Sequence, residues 1–308
     1  MPESGHIPVL QNETANLLKP REHAVIVDLT AGRGGHARHL AEIAGQHATV
    51  VLFDLDKANL EFATEQVEAT GTKVHAIHAN FVTVASEMSD LGLQADCVLA
   101  DLGFASNQMD DANRGLSFRC SGPLDMRLNP DSGIMAADII ETSTEEELAN
   151  LIFQFGEEPY SRRIARKIVQ ERQKEPILET VRLAQIVRSA YGARARSSRM
   201  HPATRTFMAL RIAVNDELAA LDALLETMQM GCRTVNDGGW LKNGARCAVI
   251  SFHSLEDRRV KHAFVDLEKH DLATRITRKP ICASEEEVAL NPRSRPAKLR
   301  AIQVLHEK

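Results

Sequence analysis

The amino-acid sequence predicts an α/β protein in which a Rossmann-like, doubly wound parallel sheet is interrupted by an inserted all-helical domain. Three observations predict it. Between residues 24 and 102 short apolar runs alternate with amphipathic stretches, the pattern of strands covered by crossover helices on both faces. The next run of the same buried character, ARCAVISF, comes only at 245–252. The interval between is far too long for a loop in a compact sheet, and most of it carries apolar residues at three- and four-residue spacing.

Each element follows from its residues. AVIVDL, ATVVLFD, KVHAIH and ADCVLAD are short apolar runs, as strands buried on both faces are. The amphipathic stretches beginning near Gly35, Lys57 and Val82 have about the length that a right-handed crossover requires. TEEELANLIFQF, SRRIARKIVQERQ and TVRLAQIVRSAYG each carry an apolar stripe at helical spacing and lie within the insertion. A long amphipathic helix is expected from about Thr204 to Met230, with Gly238 and Gly239 turning the chain into the 245 strand. KLRAIQVLH alternates and supplies a closing strand. The expected domains are 1–104 with 205–308, discontinuous in sequence, and the helical insertion 105–204.

Of the 308 residues 44% are hydrophobic and 26% charged, which excludes a disordered chain, a collagen-like repeat or a membrane bundle. Cys97, Cys120, Cys232, Cys247 and Cys282 include no C-x-x-C pair, so zinc-ribbon and thioredoxin-like sites are excluded, and their odd number does not suit a disulfide framework. His, Asp and Glu show no metal-site spacing, and no metal is expected. MPESGHIPVL has neither the apolar stretch of a secretory signal nor the Arg-rich character of a transit peptide, so a cytoplasmic location is expected. The net charge of -5 argues at first against a polyanion partner. It is unevenly spread: from Tyr160 to Arg211 thirteen Arg and Lys stand against three Glu, a local net of +10 that leaves -15 for the rest. Asymmetry on this scale is a footprint of nucleic-acid binding.

The strongest local signal is VDLTAGRGGH at 27–36, a strand running into a glycine cluster that opens a helix. Glycines let the backbone approach a ligand, and the helix N-terminus offers free N–H donors. Gly32, Gly34 and Ala37 satisfy a permissive dinucleotide pattern, with Asp54 at a suitable distance to bind ribose hydroxyls. Asp28 turns the choice. A carboxylate directly before the glycines repels a pyrophosphate but suits a ligand bearing an amino group and a sulfonium charge, and S-adenosylmethionine (SAM) is such a ligand. Asp101, closing the fourth strand, is a third carboxylate at the strand ends where open α/β sheets bind ligands. Each alone is also a common cap or turn residue.

A series of long motifs runs in order along nearly the whole chain: HIPVL at 6–10, DLTAGRGGH, DLGFASNQMD at 101–110, RGLSF, GPLDMR at 122–127, FGEE at 155–158, HPATRTF at 201–207, ALRIAVNDEL, ISFHSLEDR at 250–258 and NPRSRPAKLR at 291–300. In these the chain resembles the RsmH (MraW) family of bacterial methyltransferases. The resemblance implies a class I SAM-dependent methyltransferase fold, methylation of N4 of a decoding-centre cytosine in 16S ribosomal RNA, and a helical domain that helps bind the RNA. It implies cofactor contacts at Gly34, Gly35, His36, Asp54, Phe81, Asp101 and Gln108, to which the reading of the glycine turn adds Asp28. Two departures stand out: Phe104-Ala105-Ser106 where the family usually has Val-Ser-Ser, and Leu116 where it has Phe.

Attack by a cytosine amino group calls for an acceptor for its protons, and Asp101 or a carbonyl of the Leu102-Gly103 turn is the natural candidate, with His253 as a second catalytic candidate. Ser251, His253 and Ser254 lack the G-x-S-x-G of a hydrolase elbow; Ser254 is expected to cap the following helix. Expected RNA contacts are Arg194, Arg196, Arg199, His201 and Arg205, together with Arg293, Arg295, Lys298 and Arg300. Phe104 and Phe118 are candidates either for walls of a base pocket or for core. The expected partner is 16S rRNA, within the assembled small subunit by resemblance; no membrane is involved, and a homodimer is compatible. A NAD-dependent oxidoreductase and a non-catalytic ribosome-assembly factor retaining a SAM fold are the competing readings.

Overall fold

The computed structural model of the protein describes residues 8–196 and 200–305. The chain divides into two compact units, Met1–Gly103 with Leu218–Lys308, and Phe104–Glu217.

The first unit is built on seven strands, β1 (Val25–Asp28), β2 (Thr49–Asp54), β3 (Lys73–His78), β4 (Ala95–Asp101), β5 (Leu241–Ser251), β6 (Ala273–Arg275) and β7 (Lys298–Val304), in the order β3-β2-β1-β4-β5-β7-β6. β1 to β5 are parallel, and β7 runs antiparallel to both β5 and β6. Alternate side chains feed two separate cores, one on each face of the sheet. Val27, Val51 and Phe53 pack with the helices Glu217–Arg233 and Ser254–Lys269, whereas Ile26, Val50 and Leu52 pack with Gly35–Ala44 and Lys57–Glu68. The strand order reverses between β1 and β4, which opens a crevice at their carboxyl ends. Among the elements without a counterpart in the predicted pattern are the helices Gln11–Leu18 and Glu285–Leu290 and the three-residue β6.

The second unit packs Ala136–Thr142, Glu145–Gly156, Ser161–Arg172, Thr180–Tyr191 and Ala203–Asn215 around Leu148, Ile152, Ile164, Leu183 and Phe207. A capping box starts Glu145–Gly156: the Thr144 hydroxyl accepts from the Glu147 N–H at 3.2 Å, and the Glu147 carboxylate accepts from the Thr144 N–H at 2.8 Å. Leu116, one of the departures from the family pattern, is a buried member of this core, so the change concerns packing.

The helix expected from Thr204 to Met230 is two helices, Ala203–Asn215 and Glu217–Arg233. Asp216 between them is left-handed, at φ 49 and ψ 36. The Asn215 side chain accepts from the Leu128 N–H at 2.7 Å and donates to the Met126 carbonyl at 2.8 Å, which ties the helix end to a loop of its own unit. The unit boundary accordingly falls one helix later than the expected 204/205. No helix among the described residues is long and apolar enough to cross a membrane.

Candidate active site

Asp28, Asp54 and Asp101 end β1, β2 and β4 on one edge of the sheet, and the turn after β1 links them. Asp28 Oδ1 accepts from the Thr30 N–H at 3.1 Å, the Thr30 hydroxyl oxygen accepts from the Asp101 N–H at 2.7 Å, and Asp54 Oδ2 accepts from the Gly32 N–H at 2.7 Å. Thr30 is thus a third party to the site; its place two residues after Asp28 in the glycine motif was the available signal. Gly34 sits at φ 76, where a Cβ would lie 2.9 Å from the Ala63 backbone, so the close seating of the turn on Lys57–Glu68 requires glycine. Gly35 opens the next helix, and His36 in its first turn is buried with Nε2 3.7 Å from Asp101 Oδ2.

Burial dominates the electrostatics of this edge. It pushes the Asp28 carboxyl up to about 7, with the charge of Asp54 adding and the Thr30 N–H and hydroxyl opposing. Asp54 is pushed up to about 6 by burial, held back by the backbone N–H groups of Asp56 and Gly32. Asp101 stands well above the carboxylate range through burial and the charges of Asp28 and Glu256. Its side chain is 26% exposed, none of this at Oδ1, which has no hydrogen-bond partner among the described residues. No Lys or Arg there pairs with any of the three. Desolvated carboxylates without counter-charge fit a ligand that brings cations and hydroxyls, as SAM does.

Phe81 begins the short turn Phe81–Thr83 after β3 and is half-buried against the core. His253 caps Ser254–Lys269, taking the place expected of Ser254: its Nδ1 accepts from the Glu256 N–H at 3.4 Å, and the Glu256 carboxylate accepts from the N–H groups of Phe252 and His253 at 2.8 and 3.2 Å. His253 Nε2 lies 3.2 Å from Glu256 Oε1. Glu256, whose charge also bears on Asp101, is marked in the sequence only by its place three residues after His253. Arg300, expected among the RNA contacts, is turned inward. It is 6% exposed and donates to Asp257 at 2.7 Å, with Lys298 on the same carboxylate at 3.2 Å, whereas Arg293 and Arg295 are exposed.

In the second unit Gln108 is buried and accepts from the Ala105 N–H at 2.9 Å, capping Ser106–Asp110. Phe104, the other departure, lies under the Arg211 guanidinium at 4.8 Å, and Glu217 grips that guanidinium at 2.7 and 2.8 Å. Phe104 and Phe118 are both half-buried against the helical core. Much of the positive charge is tied up locally: Glu171 pairs with Lys167, Lys174 and Arg182, and Arg205 donates to the Glu157 carbonyl at 3.0 Å. Arg194 and Arg196 belong to the turn Gly192–Arg196, and Arg199 lies outside the described residues. His201 is exposed at the foot of Ala203–Asn215.

A parallel sheet with an antiparallel seventh strand between the fifth and sixth, ending in desolvated carboxylates around a glycine turn, defines the class: this is a class I SAM-dependent methyltransferase. The chain belongs to the MraW methylase family, which it matches over residues 3–305. It is 41% identical, over 98% of its length and 99% of the relative's, to ribosomal RNA small subunit methyltransferase H of Geotalea uraniireducens (strain Rf4). It is 43% identical to the protein of the same name in Cyanothece sp. (strain PCC 7425), over 99% and 96%, and 45% identical to that of Synechococcus sp. (strain WH7803), over 96% and 93%. Membership of a methylase family removes the oxidoreductase reading of the glycine turn.

Proposed function

We propose that this protein methylates N4 of a cytosine in the decoding centre of 16S rRNA, on the assembled small subunit in the cytoplasm. The observation that carries the reading is the full-length similarity to relatives named ribosomal RNA small subunit methyltransferase H. SAM supplies the methyl group on a sulfonium centre. Asp28, Asp54 and Asp101 hold its cationic and hydroxyl groups, and Gly34, Gly35, His36, Phe81 and Gln108 complete its surroundings. The amino group of cytosine is a weak nucleophile because its lone pair is delocalised into the ring. Asp101 accepts a hydrogen bond from it, favours the pyramidal form and takes up the proton released on transfer; a carboxyl whose proton affinity is raised by burial is suited to that task. His253, held by Glu256, is oriented toward substrate from the neighbouring strand end.

RNA is held by the basic segment through Arg194, Arg196, Arg199, His201 and Arg205, and by Arg293, Arg295 and Lys298 of the other unit. Transfer of label from SAM to small subunits lacking the modification, with the product mapped by RNA mass spectrometry, tests the reading. The expected result is a single methyl group on one 16S cytosine N4. Binding of SAM and subunits without transfer would instead identify an assembly factor.

A further inference from the structure

The ring of Phe118 lies nearly parallel to that of His201, with centroids 4.5 Å apart and 24° between planes, and Phe207 meets Phe118 edge-on at 4.9 Å and 74°. Phe118 is half-buried and braced, while His201 is exposed although one face of its ring is covered, so its free surface is the opposite face and the edge. The imidazole is fixed by the Ala203 N–H, which donates to its Nδ1 at 3.2 Å and leaves the ring proton on Nε2. The loop carrying Phe118 is fixed too. A Cβ on Gly115 would lie 2.2 Å from the Pro123 carbonyl oxygen, and one on Gly122 would lie 1.9 Å from that of Ala112, so backbone closes on backbone at both ends.

Beside this stack, Arg188 is exposed on Thr180–Tyr191 and makes no ion pair among the described residues, and its charge acts on His201. It lines a groove of about 410 Å³ with Gln185, Ser189, Gly192 and Ala195, none of them acidic. Arg163 comes close to Gly192 of this groove, with Nη2 3.4 Å from where a Cβ of that glycine would stand. In a chain with only 4% aromatic residues, a rigid, exposed aromatic face next to unpaired guanidinium is a specific feature.

We infer that His201, backed by Phe118, is a stacking platform for an unpaired nucleobase of the substrate RNA, and that Arg188 holds the adjoining phosphate. Every base offers a flat face, and stacking on an aromatic ring combined with a guanidinium on the backbone is how single-stranded RNA is gripped without reading its sequence. The local net of +10 selects a polyanion over an apolar peptide as the occupant. This deepens the rRNA-methyltransferase reading and rests on it.

The competing role for His201 is purely to cap Ala203–Asn215 through Nδ1, and two substitutions separate the roles. His201→Asn keeps an acceptor for the Ala203 N–H and removes the ring; His201→Phe keeps the ring and removes the acceptor. With small subunits as substrate, His201→Asn is expected to raise the KM for subunits roughly 5- to 100-fold at unchanged KM for SAM and unchanged melting temperature. His201→Phe is expected to stay within about threefold of wild type in subunit KM while melting lower. Arg188→Ala should reduce the salt dependence of RNA binding by about one phosphate contact. A wild-type subunit KM in His201→Asn, or equal impairment of the two variants, overturns the platform. If the wild-type protein methylates no rRNA, the parent reading fails on its own. The platform is then judged with a single-stranded oligoribonucleotide containing 2-aminopurine, whose fluorescence must be quenched by wild type and His201→Phe but not by His201→Asn; without that contrast it falls.

Discussion

Nε2 of His36 stands 3.7 Å from Oδ2 of Asp101, so the first turn of the helix after the glycine cluster meets the carboxyl end of β4. Asp101 is otherwise surrounded by burial and by the like charges of Asp28 and Glu256. Because Asp101 is proposed both to steady the cofactor and to accept a substrate proton, its removal is informative. Asp101→Asn is expected to lower kcat by about 100-fold at saturating SAM and subunits, with calorimetric affinity for SAM reduced less than tenfold. Full kcat with weakened SAM binding would assign Asp101 to the cofactor alone.

Asp28 carries a pH dependence of defined sign. Its folded carboxyl is at about 7 against an ordinary 3.8. Below both values the group is protonated whether the chain is folded or not. Between them only the folded chain keeps the proton, so the stability contributed by this group falls as pH rises from 4 to 7, by up to a few kcal/mol. Without SAM, Asp28→Asn should therefore melt above wild type at pH 8 and level with it near pH 4. Its gain in melting temperature on adding SAM should be smaller than that of wild type, because a counter-charge for the cation is gone. Calorimetric scans at the two pH values, with and without SAM, check both statements.

Gly34→Ala places a methyl group against backbone that cannot yield, at a left-handed residue. A loss of ~2 kcal/mol in urea unfolding and a weaker SAM affinity are expected.

The basic residues near the C-terminus separate into two groups. Arg300→Met removes a buried partner of Asp257 and should cost ~2 kcal/mol of stability. Arg295→Ala, at an exposed position, leaves stability unchanged and lowers RNA affinity with a shallower salt dependence. Thermal melts and RNA titrations over a range of salt distinguish these outcomes.

β1 and β2 were readable because nothing polar interrupts their buried runs, and the glycine turn because only glycine tolerates its conformation; KVHAIH forms its strand too, but at the sheet edge and only partly buried rather than covered on both faces. β6 has three residues, too few to display a period, and Gln11–Leu18 has too few apolar positions to stand out. The break at Asp216 hides inside a continuous apolar repeat. It goes with a side-chain bond from Asn215 to a loop nearly ninety residues earlier, which no local pattern records. His253 displaced Ser254 as helix cap because an imidazole nitrogen can do what a hydroxyl usually does. The burial of Arg300 is hidden from the sequence for a similar reason: alternation puts it beside Lys298 on one face of β7, but the carboxylate they share comes from the helix Ser254–Lys269. Charge counted along a chain is blind to such pairing.

Because β5 is encoded after the entire helical unit, β4 ends at Asp101 and waits for a partner that begins at Leu241. At a synthesis rate of roughly 5–20 residues per second, the middle of the nascent sheet remains an open edge for on the order of ten seconds or more. The helices of Phe104–Glu217 can meanwhile complete their own core from consecutive residues. During translation the vulnerable species is therefore a half-sheet in which β4 is paired to β1 on one side only and its other edge is open, the state in which aggregation or chaperone capture would act on this protein.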